Sequence, residues 1–354
     1  MSKQGKGIWW LLAGIVMVGV AGAAWVYFAR PQWPSRGTHP PAAPREVTRP
    51  AAAAEKPATQ LLATQPATDP STQPASQPAT APASMPALSN EDASAAYQRG
   101  MELMRRERFV EARNELNSAY WAGTLPPEKQ KSLRQTLSDL AEMTLTGRGT
   151  PAFEEDPYVL RYQIQGGDVL ARVERKLELH VPPPLIVKVN GLSRAEDLQA
   201  GQTYKMVRGP FHAMVDKASF TMDIYLQRDG LPRVFVRRLK VGTGKNDTTP
   251  AGLWRVRLGG KEVHPTWFPP PNSPLRGPVP YGHANYAFGV KGLWISLEGL
   301  DEQTHGLSDY GIHSTNDPAS IGQAGSLGCI RLSDEDIELV FMLLYEHWST
   351  VDVR

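Results

Sequence analysis

A single cysteine, Cys329, stands in a chain of 354 residues. No intramolecular disulfide can form, and metal sites built on paired thiolates are excluded. Charge imbalance is also lacking: 38 Lys and Arg against 36 Asp and Glu leave a net +2. That is far from the concentrated basic face that nucleic-acid binding needs. The length leaves room for two or three domains at about 100–200 residues each. A leftover cysteine is either a small apolar filler or, in a secreted protein, an intermolecular partner or a reactive thiol. Its neighbours decide between these.

Charge is absent altogether between Lys6 and Arg30, a stretch long enough to cross a bilayer as a helix. Trp9 and Trp10 at one end and Trp25 and Tyr27 at the other fit interfacial aromatic belts. Residues 1–30 are therefore expected to be an uncleaved transmembrane anchor, with a signal sequence cleaved near Ala21-Gly22-Ala23 as the alternative. From 31 to 89 large apolar residues are nearly missing, and Pro, Ala, Thr, Gln and Ser dominate. Such a segment buries too little to offset its ordering entropy and is expected to be a disordered linker. Its proline content favours polyproline II, with a reach on the order of 180 Å at roughly 3 Å per residue.

Over 90–150, Tyr97, Met101, Met104, Phe109, Ala112, Leu116, Ala119 and Tyr120 recur at helical spacing. Gly100, Leu103, Ala112, Leu116 and Ala119 resemble one tetratricopeptide-type hairpin closed by Pro126, which raises a protein partner as an expectation. The run Arg105-Arg106-Glu107-Arg108 reads as a solvated face or turn. Over 158–208 the pattern is a strand through Tyr162 and Ile164, a Gly166-Gly167 turn, a helix start at Asp168, then Asn190-Gly191 and a closing Gly201-Gln202. This layout resembles a LysM module, a small strand–helix–helix–strand unit that binds N-acetylglucosamine-containing glycans. The resemblance makes Gly167, Asp168 and Asn190 candidate glycan contacts. Val169 stands where that family has Thr or Ser, and Pro182-Pro183-Pro184 is foreign to it.

Beyond Phe211 strands take over. Phe220, Met222, Ile224 and Leu226 alternate with polar neighbours at period two, and Asp229-Gly230 supplies a hairpin turn. The alternating strand around Trp254 and Val256 is expected to turn at Gly259-Gly260. One helix is expected over 334–348, capped by Ser333 with Asp336 three residues on. The domain over 212–354 is mainly β.

The chemistry lies in Tyr310-Gly311-Ile312-His313-Ser314-Thr315-Asn316 and Ser326-Leu327-Gly328-Cys329-Ile330-Arg331-Leu332. A cysteine nucleophile needs a neighbour that raises its thiolate fraction, and a histidine base must itself be oriented by a third group. His313 and Arg331 can both meet Cys329 if neighbouring strands are joined by the intervening loop. Gly328 lets backbone amides approach a reacting carbonyl. His264, His283 and His305 match no part of this pattern and read as surface or loop residues.

The two stretches resemble the signature of the L,D-transpeptidase, or YkuD-type, catalytic domain. Upstream, Val241-Gly242-Thr243-Gly244, Thr249-Pro250-Ala251-Gly252 and His264-Pro265-Thr266-Trp267 fall in that family's order. The resemblance implies a β-sandwich-like domain with Cys329 as nucleophile, His313 as general base and the Ser314 carbonyl orienting the imidazole. Amides near Gly328 and Cys329 would hold the oxyanion, Arg331 would support the site, and Asn316 and Ser326 are candidate substrate contacts. It implies no metal or organic cofactor. Leu327 departs from a common histidine and Ser314 from a common glycine.

The implied reaction is acylation by the third residue of a tetrapeptide stem of peptidoglycan, then transfer to an amine. Water as acceptor would make a carboxypeptidase, and a dead domain would leave a wall-binding scaffold. Sortase-like enzymes also order His, Cys and Arg, but with His and Cys much farther apart. The expected whole is multidomain: anchor, linker, helical hairpin, α+β LysM-like module and β catalytic domain. Its expected partners are stem peptides, glycan strands and the membrane, with the catalytic domain in the cell envelope outside the cytoplasm.

Overall fold

The computed structural model describes residues 89–270 and 273–354. The expected anchor and all but the last residue of the expected linker lie outside the described residues. Among the described residues no helix is long and apolar enough to cross a membrane.

Three helices open this part: α1 (Asn90–Arg105), α2 (Phe109–Trp121) and α3 (Pro127–Ala141). Ser89 caps α1 by accepting from the Asp92 N–H at 3.1 Å, and Pro127 starts α3 at the position where a missing N–H costs nothing. Gly100 marks the α1–α2 crossing, since a Cβ there would lie 2.5 Å from Leu116 Cγ. The expected hairpin is thus joined by a third helix, and the group lies on a sheet. Its core takes in Phe235, Asn117 Oδ1 accepts from the Phe235 N–H at 2.6 Å, and the Tyr120 hydroxyl donates to Asp223 at 2.8 Å.

Next comes a two-stranded antiparallel pair, β1 (Val159–Gln163) with β2 (Thr203–Val207), enclosing α4 (Leu170–Lys176) and α5 (Pro183–Val189). The strand–helix–helix–strand order is as read from the sequence, but the first helix starts at Leu170 rather than Asp168. Asp168 instead closes the glycine turn, accepting from the Gln165 N–H at 2.9 Å and the Tyr162 hydroxyl at 2.8 Å. The three prolines begin α5, with Pro182 as its N-cap. This unit shares one apolar core with the sheet that follows, from Leu179, Val181 and Val207 on to Phe211 and Ala213.

That sheet has eight strands: β3 (Phe211–Asp216), β4 (Thr221–Leu226), β5 (Val234–Lys240), β7 (Gly252–Val263), β8 (Leu293–Gly299), β9 (Gly311–Ser314), β11 (Ile330–Leu332) and β12 (Thr350–Val353). Their order is β11-β9-β8-β7-β12-β3-β4-β5, and a parallel ribbon of β6 (Thr243–Gly244) and β10 (Ala324–Ser326) stands apart. One hydrogen-bonded ladder therefore joins all eight strands. Gly259 and Gly260 do not end a strand: Arg257, Leu258, Gly259 and Gly260 bulge against Ser296 alone, and β7 continues at Lys261. Helix α6 (Asp334–Leu343) has Ser333 as its N-cap, as expected, but stops five residues early. Lys261 Nζ donates to the Phe341 and Leu344 carbonyls at 2.5 and 2.8 Å, satisfying the end of the helix.

Candidate active site

Strand β9 is buried along its whole length and runs parallel to β11, with His313 opposite Arg331. Gly311 is required there, because a Cβ would meet Trp294 Cζ2 at 2.5 Å. His313 is packed against Phe288 and Trp294, with ring centroids 4.8 and 5.6 Å away. Its Nδ1 lies 2.5 Å from the Ser314 carbonyl oxygen. A carbonyl can only accept, so Nδ1 carries the proton and Nε2 keeps its lone pair. Burial pushes the imidazole down to about 4, and the charge of Arg331 works in the same direction.

Cys329 sits immediately before β11 and is half-buried. Its thiol donates to the Asp309 carbonyl at 3.8 Å, and no hydrogen bond joins it to His313 in this state. Burial raises the thiol to about 11, against the Gly311 amide and Arg331, which favour the thiolate. The resting pair is therefore neutral thiol and neutral imidazole. Such a pair can transfer its proton as a bond to sulfur forms, and catalytic hydrogen bonds often tighten only with substrate present.

The neighbouring residues have distinct surroundings. Arg331 is held by its backbone, exchanging both hydrogen bonds with Gly242 at 2.8 and 2.9 Å. Its Nε is buried without a partner. The Ser314 hydroxyl donates to the Phe288 carbonyl at 2.7 Å, a bond that glycine could not make. Ser326 is buried, donating to the Cys329 carbonyl at 2.6 Å and accepting from the Gly328 N–H at 3.1 Å, so both its hydroxyl and that amide are engaged within the loop. Asn316 is exposed at the end of β9, and Leu327 is 55% exposed.

Gly167, Asp168 and Asn190 belong to the β1–β2 unit and not to the β9–β11 edge. Gly167 is exposed. The Asn190 amide is used inside the fold, donating to the Ile186 and Lys205 carbonyls and accepting from the Lys205 N–H, each at 2.8 Å. Among the described residues no three His, Cys, Asp or Glu side chains are grouped to hold a metal.

Three residues at the site have no role assigned from sequence. Asp309 meets the thiol through its carbonyl from a left-handed backbone, φ +67°. Tyr310 faces Gly328, where φ is +142° and a Cβ would lie 2.8 Å from the Tyr310 ring, which leaves no space for a side chain. Thr249 reaches the same peptide from the Thr-Pro-x-Gly turn, which was the one sequence signal available for it.

Residues 210–353 match the family described as YkuD, L,D-transpeptidase catalytic domain. The Escherichia coli K12 protein named as the L,D-transpeptidase YbiS is 31% identical over 132 residues, which are 35% of this chain and 39% of YbiS. The Bacillus subtilis strain 168 protein named as the L,D-transpeptidase YkuD is 64% identical over 44 residues, 12% of this chain and 22% of that protein. Among solved structures, an L,D-transpeptidase from Mycobacterium smegmatis aligns with 44% of this chain and 63% of its own, at 16% identity and a TM-score of 0.30. This chain thus spans about two fifths or less of the length of the relatives it matches. Within the mainly β part, residues 210–353 are the stretch that matches the YkuD family of L,D-transpeptidase catalytic domains.

Proposed function

We propose that this domain is a cysteine-dependent peptidoglycan L,D-transpeptidase, with Cys329 as nucleophile and His313 as base. The observation that carries the reading is the tautomer of His313: Nδ1–H is spent on the Ser314 carbonyl, which leaves Nε2 as the proton acceptor for a thiol that burial keeps neutral. Sulfur adds to the carbonyl of the third stem residue, a C–S bond forms, the carbonyl π pair moves to oxygen, and the thiol proton passes to Nε2. Collapse of the oxyanion breaks the C–N bond, and His313 returns the proton to the departing D-alanine amine. An acceptor amine then attacks the thioester and gives its proton to Nε2. The new amide C–N bond forms, the C–S bond breaks, and the departing sulfur takes the proton from Nε2 to restore the thiol. Arg331, whose charge favours thiolate, supports the charge on sulfur as it develops. Asn316, exposed at the strand end, is the candidate substrate contact of the signature that faces outward.

The same reading places the domain in the cell envelope outside the cytoplasm, tethered by residues 1–30 through the linker. The β1–β2 unit supports a LysM-like, glycan-directed reading by its strand–helix–helix–strand layout, with Gly167 as its exposed turn residue and Asn190 serving the fold. The helical segment keeps a protein partner open only on faces away from the sheet. Intact-mass measurement after exposure to a carbapenem tests the central claim. One adduct on the natural protein and none on Cys329→Ala is expected, followed by crosslinked stems from a tetrapeptide donor and an amine acceptor. An unmodified natural protein, or an adduct that survives Cys329→Ala, refutes the mechanism and leaves the wall-binding scaffold. Acylation followed by hydrolysis alone makes it a carboxypeptidase.

A further inference from the structure

The geometry points to Thr249 as the positioning residue that aims the Cys329 amide at the carbonyl oxygen under attack, an inference that rests on the transpeptidase reading above. The Thr249 side chain is buried. Its hydroxyl accepts from the Gly244 N–H at 2.7 Å and donates to the Gly328 carbonyl at 2.8 Å. The Gly328 carbonyl and the Cys329 N–H belong to one planar trans peptide, so they point in opposite directions. Fixing the carbonyl on Thr249 therefore fixes the N–H on the other side of the plane. That N–H has no acceptor among the described residues, whereas the preceding amide, of Gly328, is committed to Ser326 Oγ. One uncommitted donor thus stands at the nucleophile, and its direction is set from behind.

Two further features hold the clamp. Lys217 Nζ donates to the Thr249 carbonyl at 3.1 Å and to Asp247 at 2.7 Å, anchoring the turn that presents the hydroxyl. Gly328, at φ +142°, lets the peptide lie against Tyr310 and Thr248 without a side chain in between. Aimed amides are worth most where charge develops in the transition state. Thr249 would then act on carbonyl attack and not on thiol reactivity in general.

The two can be separated with two probes on the full-length protein. A carbapenem is attacked at a carbonyl, opening its ring C–N bond through an oxyanion. Iodoacetamide is attacked at a saturated carbon, losing iodide with no oxyanion. Thr249→Val keeps the shape and removes the hydroxyl, and Thr249→Ser restores it. Thr249→Val should slow acylation by about tenfold to a hundredfold, leave the alkylation rate and its pH profile within about twofold, and be rescued by Thr249→Ser. Equal acylation by Thr249→Val and the natural protein overturns the inference. So does a parallel loss of acylation and alkylation, which would make Thr249 a support of the fold. A natural protein that is alkylated but never acylated removes the transpeptidase reading itself, and this inference with it.

Discussion

The imidazole of His180 lies flat on the indole of Trp348, with ring centroids 3.5 Å apart and planes 11° from parallel. His180 follows the first helix of the β1–β2 unit, and Trp348 precedes the central strand of the catalytic sheet. Around this stack the Tyr158 hydroxyl donates to the Pro232 carbonyl at 2.7 Å, the Gly209 N–H to Leu179 at 2.6 Å, and Arg228 to Glu178 at 2.7 Å. The unit is built into the sheet and does not hang from a tether.

Removing residues 158–208 should consequently destabilise the catalytic domain. Uncovering side chains such as Phe211 and Ala213, buried in the shared core, costs about 1.5–3 kcal/mol for each large one. Thermal melting of the truncated protein should show a lower midpoint, with carbapenem acylation and activity on intact sacculi falling together. An unchanged midpoint with loss on sacculi alone would mark the unit as an independent glycan binder.

Acid should loosen the fold between pH 6.5 and 4. Burial holds His180, His212 and His313 each near 4, below the 6.5 of a free imidazole. Between those values the unfolded chain binds protons that the folded chain refuses, so stability falls as pH falls. His212 gives the effect a structural target, because its Nδ1 accepts from the Thr350 N–H at 3.1 Å and from the Thr350 hydroxyl at 2.7 Å. Melting temperatures across this range should drop steadily, and His212→Gln should weaken the dependence. A flat profile would contradict the neutral assignment.

Asp223 should matter more than Tyr120. Asp223 is 2% exposed and bound twice by Arg238, at 2.6 and 2.7 Å, beneath the helices. Asp223→Ala leaves a partly buried guanidinium and a buried hydroxyl without their acceptor, a loss of about 3 kcal/mol. Tyr120→Phe removes two hydrogen bonds, the one donated to Asp223 and a longer one accepted from Arg238 at 3.2 Å, about 1–2 kcal/mol together. Urea denaturation of both variants decides the ranking, and equal losses would mean that the ion pair adds nothing.

Leu327→His should change acylation by less than about tenfold, or roughly 1.4 kcal/mol in barrier. Leu327 is largely exposed, and no hydrogen bond of the Cys329–His313 pair runs through it. Stopped-flow acylation by a carbapenem measures it directly, and a gain of several orders of magnitude would mean that the natural site is crippled.

What could be read beforehand was local. The alternation of Met222, Ile224 and Leu226, the Ser333 cap and the order of motifs around Cys329 each depend on neighbours along the chain. Asp223 and Tyr225 broke the alternation's promise of a solvated face, because Tyr120 and Trp121, about a hundred residues earlier, cover them. Gly259-Gly260 carries the composition of a turn, yet β8 and β12 pair along β7 and draw the two glycines into a bulge. Asp168 had the look of a helix cap, and the Tyr162 hydroxyl and Gln165 amide claimed it instead. The carbonyl of Asp309 reaches the nucleophile, and the hydroxyl of Thr249 the peptide before it, by loops that no periodicity describes.

Strand β12 joins β7 on one side to β3 on the other, and among the described residues it is the strand that connects the two halves of the sheet. Val351 pairs with Ala213, far back in the chain, so the joining step closes a very long loop and is slow for entropic reasons. Until it happens, β3 and β7 each present an open edge, the feature that lets partly folded chains pair with one another. The yield of active protein on refolding should therefore fall with chain concentration, and the pairing that completes the sheet is also the one that removes these two inner open edges.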